Sequence, residues 1–137
     1  MNTEQKSAIL ELLARAAYAY DEREVKMLEA TFSEDARFEL DIAGVDGELL
    51  FEGREAIMEL QTGGMKEQTD QRRHVVTNAF FTSESDTKAT VVSNLTITAA
   101  EDGVIQLVTS GIYRDDVILE NGQWRIANRR LNLDMPY

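Results

Sequence analysis

The stretch Gln71–Phe81, QRRHVVTNAFF, reads as a β-strand, and the rest of the chain is best understood outward from it. Val75, Val76 and Thr77 are β-branched, Phe80 and Phe81 follow, and no Gly or Pro interrupts the run. Side chains alternate across a strand, so His74, Val76, Asn78 and Phe80 are expected on one face. His74 is the only histidine of the protein. It is either an outward polar residue or a base aimed into a partly apolar interior, and the functional reading turns on which.

Downstream, everything reads as antiparallel sheet. Long strands are expected at Arg72–Ser83, Lys88–Ala100, Val104–Leu119 and Gln123–Leu133, joined by Glu84-Ser85-Asp86, Glu101-Asp102-Gly103 and Glu120-Asn121-Gly122. The Asn-Gly pair is a strong hairpin signal. Strands of this length usually bend, with Gly111 or Asp115-Asp116 as candidate bulges.

Upstream, helices dominate. Asn2 to Tyr20 carries Ile9, Leu12, Leu13, Ala16, Ala17 and Tyr20 at helical spacing, with Asn2 or Thr3 as cap. A second helix is expected from Asp21, where Asp21-x-x-Glu24 has the form of a capping box. A strand at Ala36–Ile42 and a short return at Glu48–Glu52 follow, then a third helix at Arg54–Gln61 stopped by Gly63-Gly64. Helices first and a long meander after predict an α+β fold. Its strongly curved antiparallel or mixed sheet forms a cone closed by about three N-terminal helices, in one domain spanning 1–137. Such a cone leaves a conical cavity suited to a small molecule.

Composition narrows the function. The formal net charge of −11 disfavours nucleic acid and anionic membranes as partners. The absence of cysteine removes disulfide and thiolate chemistry, and one histidine gives a poor metal-ligand set. No apolar run approaches the roughly 18 residues of a membrane span, and no signal peptide is evident, so a cytoplasmic protein is expected. There is no P-loop, dinucleotide fingerprint or G-x-S-x-G elbow, and no cofactor is expected.

Four motifs in order carry a resemblance: Tyr20-Asp21, Phe51-Glu52-Gly53-Arg54-Glu55-Ala56-Ile57, Arg73-His74-Val75-Val76-Thr77-Asn78 and Asn121-Gly122-Gln123-Trp124-Arg125-Ile126. Together they resemble the SnoaL-like branch of the nuclear-transport-factor-2-like, cone-fold superfamily, over nearly the whole chain. The fold hosts enzymes and non-enzymes alike. Within it, scytalone dehydratase and hexachlorocyclohexane dehydrochlorinase use an Asp–His pair, and Asp21 and His74 stand at the matching places. The same resemblance matches Tyr20 to a tyrosine of the dehydratase and Arg129 to an arginine of some dehydrochlorinases. The dehydratase has a second pocket histidine that this chain lacks. The chain also stops at Tyr137, without the longer tail that covers the pocket in some relatives.

The resemblance implies a small cofactor-independent lyase or isomerase, dehydratase-like, acting on a compact apolar and cyclic substrate. His74 would be the general base, Asp21 its partner, Tyr20 a proton or hydrogen-bond donor, and Arg129 a stabiliser of developing negative charge. Each has a plainer role: strand histidine, helix cap, core tyrosine and structural ion pair. Asn78, Phe32, Phe38, Tyr113 and Trp124 are candidate substrate contacts, though aromatic residues are more often simple core. The alternative is a non-catalytic ligand-binding or assembly subunit, like the β subunit of ring-hydroxylating dioxygenases. Thr, Val and Ile recur on both faces of the late strands, so a homo-oligomer, dimer or trimer, is expected.

Overall fold

The computed structural model describes residues 1–137. The first helix, α1 (Thr3–Asp21), forms where the apolar stripe predicts it and buries Ile9, Leu12, Leu13, Ala16 and Ala19. Asn2 caps it through a reciprocal box: the Gln5 N–H donates to Asn2 Oδ1 and the Asn2 N–H donates to Gln5 Oε1, both at 2.9 Å.

The second helix begins later than Asp21-x-x-Glu24 suggests. Asp21 is the last residue of α1, Arg23 takes a left-handed conformation at φ 57°, and α2 runs Val25–Thr31. Glu24 holds the N-cap position of α2 without a side-chain hydrogen bond. The capping-box reading of Asp21 is therefore corrected, because its carboxylate is engaged elsewhere.

Two short-range corrections follow. Strand β1 starts at Phe32 rather than Ala36 and runs to Ile42, pairing antiparallel with β2 (Leu49–Glu52). The third helix, α3 (Arg54–Glu67), passes through Gly63-Gly64 instead of stopping there. Gly64 answers a close approach: a Cβ at that position would lie 2.7 Å from the Tyr20 hydroxyl.

The strands β3 (Gln71–Glu84), β4 (Lys88–Glu101), β5 (Val104–Glu120) and β6 (Gln123–Leu133) match the sequence expectation to within about two residues. The sheet order is β2-β1-β6-β5-β4-β3. Only β1 and β6 run parallel, so the sheet is mixed, and its edges β2 and β3 do not join. The helices serve opposite ends of this sheet, α1 against β3 and α3 against β1. The core fills the space between.

Bulges bend the long strands and reset their faces. On β3, Asn78 and Ala79 together stand opposite Ser93, and Asn78 adopts φ 57°. The strict alternation expected from His74 through Phe80 therefore breaks. His74 and Val76 face inward, Asn78 and Phe80 are exposed, and Phe81 packs on the core with the Lys6 ammonium 5.2 Å from its ring centre. A second bulge interrupts β5–β6 pairing between Asp116 and Val117. It puts Ile126 and Arg129, not Ala127, on the buried face of β6. Gly111 marks close strand contact rather than a bulge, since a Cβ there would fall 2.3 Å from the Asn132 carbonyl oxygen.

Candidate active site

Asp21 and His74 come together from elements 53 residues apart in sequence. The last turn of α1 lies on the first turn of β3 pairing, and two contacts lock the carboxylate to the strand. The His74 backbone N–H donates to Asp21 Oδ2 at 2.8 Å, and His74 Nδ1 lies 2.6 Å from Asp21 Oδ1. A carboxylate offers only lone pairs, so Nδ1 carries the hydrogen and Nε2 keeps its own lone pair. Gln71 Nε2 donates to the Asp21 main-chain oxygen at 2.9 Å, satisfying a carbonyl that the helix end leaves free.

The imidazole lines a cavity of about 600 Å³ between the sheet and α3. Phe38, Leu40, Ile97, Leu131 and Leu133 make its apolar wall, and Leu60 closes the α3 side. Polar groups converge from Tyr20, Tyr113, Gln68 and Arg72, with Tyr137 at the mouth.

Tyr20 stands edge-on to the imidazole, with ring centres 4.8 Å apart at 64°. Its hydroxyl donates to Gln68 Oε1 at 3.0 Å. Burial pushes its pKa above the ordinary value of 10.0, against the Gln68 hydrogen bond and the Arg72 charge, which lower it. Burial likewise raises Tyr113, opposed by the Arg129 charge and reinforced by that of Asp115.

Arg129 lies behind this wall, outside the cavity lining. Its Nε and Nη2 donate to Asp115 Oδ1 and Oδ2 at 2.7 and 3.0 Å, and its guanidinium sits 3.8 Å from the centre of the Tyr113 ring. Burial alone would lower the Arg129 pKa, but the Asp115 charge overcomes this and holds it above the ordinary value.

Of the residues singled out from sequence, His74, Asp21, Tyr20, Phe38 and Tyr113 therefore gather at or directly behind the cavity. Asn78 is exposed beyond the β3 bulge, Phe32 is sealed in the core beneath α2, and Trp124 packs on the core from the final hairpin. None of these three lines the cavity. Gln68, Arg72 and Tyr137 escaped the sequence reading. Arg72 alone had a usable signal, two residues before His74 and hence on the same strand face.

The raised tyrosines give a pH expectation. A group whose folded pKa exceeds its unfolded value holds its proton more tightly when folded. The stability this confers is complete below about pH 10 and is lost as pH rises through the higher folded values. Between about pH 9 and 11, urea midpoints should fall more steeply for the native protein than for Tyr20→Phe/Tyr113→Phe. Parallel curves would contradict the assignment.

An open curved sheet, helices packed inside it and a pocket between them define a cone-fold protein of the nuclear-transport-factor-2-like class. The chain belongs to the SnoaL-like family, whose domain model matches residues 1–130. Among solved structures, a Mycobacterium tuberculosis protein of unknown function is 27% identical at a TM-score of 0.80, over 95% of this chain and 72% of that one. A Nostoc punctiforme protein of unknown function with a cystatin-like fold is 25% identical at a TM-score of 0.82, over 99% and 97%. The β subunit of a putative aromatic-ring-hydroxylating dioxygenase from Novosphingobium aromaticivorans is similar in fold, at 16% identity and a TM-score of 0.81, over 96% and 90%. Comparison with curated proteins returns no match.

Proposed function

We propose that the protein is a cofactor-independent lyase or isomerase, with elimination of water the leading reaction. The carrying observation is the Asp21–His74 pair, whose free Nε2 belongs to a residue lining an apolar-walled cavity. In this reading Nε2 takes a proton from a substrate carbon and the released electron pair forms the double bond. The C–O bond breaks with a hydrogen bond from Tyr20, turned from Gln68, to the leaving oxygen, which takes the proton held on Nε2 and departs as water, returning the imidazole to its neutral form. Asp21 keeps Nδ1 protonated and stabilises the imidazolium that forms. Phe38 and Tyr113 contact the body of a compact cyclic substrate. Arg129, committed to Asp115, acts only through Tyr113.

The placement of Asp21 supports this. A buried carboxylate at the C-terminal end of a helix opposes the helix dipole and gains nothing as a cap. Its gain is the tie to β3 through His74, and local rules broken in this way are common at functional sites.

The test follows the single imidazole by NMR in the native chain and in Asp21→Asn. The reading expects its ring-nitrogen signals to change when Asp21 is neutralised and to shift with cyclic alcohols. An imidazole indifferent to both would sink it.

A second reading is favoured by the exposed apolar run at the start of β5. Val104, Ile105 and Leu107 are 53%, 75% and 70% exposed, where β5 extends beyond its pairing with β6. This edge suits a partner chain, as in an assembly subunit like the dioxygenase β subunit, and also a second copy of this chain. We expect a dimer or trimer in solution and carry over the expectation of a cytoplasmic protein. Size-exclusion chromatography with light scattering tests the assembly, and a clean monomer refutes it.

A further inference from the structure

We infer that Arg72 is the anchor for a single carboxylate on the substrate, which fixes the carbon presented to His74. The inference rests on the catalytic reading above and names the substrate class it leaves open.

Arg72 and His74 share the inward face of β3, two residues apart, so their side chains spring from points about 7 Å apart. Both line the cavity. The Arg72 side chain is only 14% exposed, yet its one ionic contact is from Nε to Asp70 Oδ1 at 3.2 Å. Neither Nη nitrogen has a hydrogen-bond partner in the protein. The Tyr137 ring centre lies 5.9 Å from the guanidinium and makes no hydrogen bond with it.

The other arginines near this end are spent. Arg73, on the outer face, pairs with Glu22 at 2.6 Å, and Arg23 donates to the Gln68 and Asp70 carbonyls. Arg129 is closed off by Asp115. Arg72 is thus the cation that lines the cavity with donors to spare, in a protein of net charge −11.

A half-buried guanidinium with two free NH₂ groups matches a carboxylate in shape and charge. Glu59 and Glu67 also line the cavity, but both are exposed at its rim on α3. They disfavour a second negative charge on the ligand. The ligand that fits is an alicyclic or aromatic monocarboxylate, its ring against Phe38, Leu131 and Leu133 and its carboxylate on Arg72.

The test uses cyclohexanecarboxylate and its neutral isostere cyclohexanecarboxamide, with the His74 imidazole signal as reporter. The carboxylate should bind about tenfold to a hundredfold more tightly than the amide. Arg72→Gln should erase that preference, and Arg72→Lys should restore part of it in a protein whose fold is checked by circular dichroism. Equal binding of the two ligands, or a preference that survives Arg72→Gln, overturns the carboxylate anchor while leaving the dyad standing. If neither ligand moves the imidazole signal, the anchor is overturned, while the catalytic reading stands or falls by the response to Asp21→Asn and cyclic alcohols.

Discussion

Asp115→Ala is expected to destabilise the protein by about 3–5 kcal/mol, seen as a lower urea midpoint with little change in slope. Asp115 is fully buried and Arg129 is 5% exposed, and the two form a bidentate pair in the middle of the sheet. Removing the carboxylate leaves a guanidinium in the interior with nothing to balance its lost hydration. Burial already pushes the Arg129 pKa down, and the Asp115 charge is the chief influence that reverses this. Because the folded pKa of Arg129 lies above the unfolded one, deprotonation of the guanidinium takes nothing from the pair's contribution near neutrality.

The double replacement Asp115→Leu/Arg129→Met should recover most of the loss, since a buried pair replaced by apolar side chains of similar size is often neutral or stabilising. A single-variant loss below about 1 kcal/mol would mean that water reaches the guanidinium and that the pair is not what sustains this part of the sheet. Tyr113 rests on Arg129 and forms cavity wall, so the double variant also reports whether the pair matters to ligand binding separately from stability.

Asp21→Asn is expected to lower turnover of a substrate by roughly 10²–10⁴-fold while the fold persists. The asparagine oxygen still accepts from the His74 backbone N–H in place of Asp21 Oδ2. Its NH₂ group then faces Nδ1 where the carboxylate oxygen stood, 2.6 Å away. A donor there favours the imidazole tautomer with the hydrogen on Nε2, which has no lone pair left to take a proton. The ¹⁵N signals of His74 should therefore report an exchange of the protonated nitrogen. Unchanged tautomer and unchanged turnover would remove Asp21 from the mechanism.

Much of the architecture was legible from the chain alone, because it depends on local and periodic information. The α1 stripe, the Asn2 cap, the turn residues between the late strands and their β-branched content all act over a few residues. They determine that helices come first and a meander follows. The sequence also placed Asp21, Tyr20 and His74 as candidates, through their motifs and their resemblance to a family.

Tertiary structure alone decided what each of them touches. Asp21 satisfies the sequence pattern of a helix cap, and only the approach of β3 to the end of α1 directs its carboxylate to His74 instead. Asn78 and Ala127 show the same limit. One inserted residue in a strand reverses the side chains beyond it; Asp115-Asp116 hinted at the irregularity on β5, but nothing in the local sequence marked the insertion on β3. So Asn78 left the cavity face and Ala127 left the buried face of β6, while Arg129 kept the inward face it shares with Leu131 and Leu133 and meets Asp115 across the strand pairing. Gly63-Gly64 read as a helix stop, yet α3 continues through them, and Gly64 leaves the space that the Tyr20 hydroxyl occupies. Arg72 lines the cavity on the strand face it shares with His74, whereas Gln68 and Tyr137 reach it through long-range packing that has no local signature in the sequence.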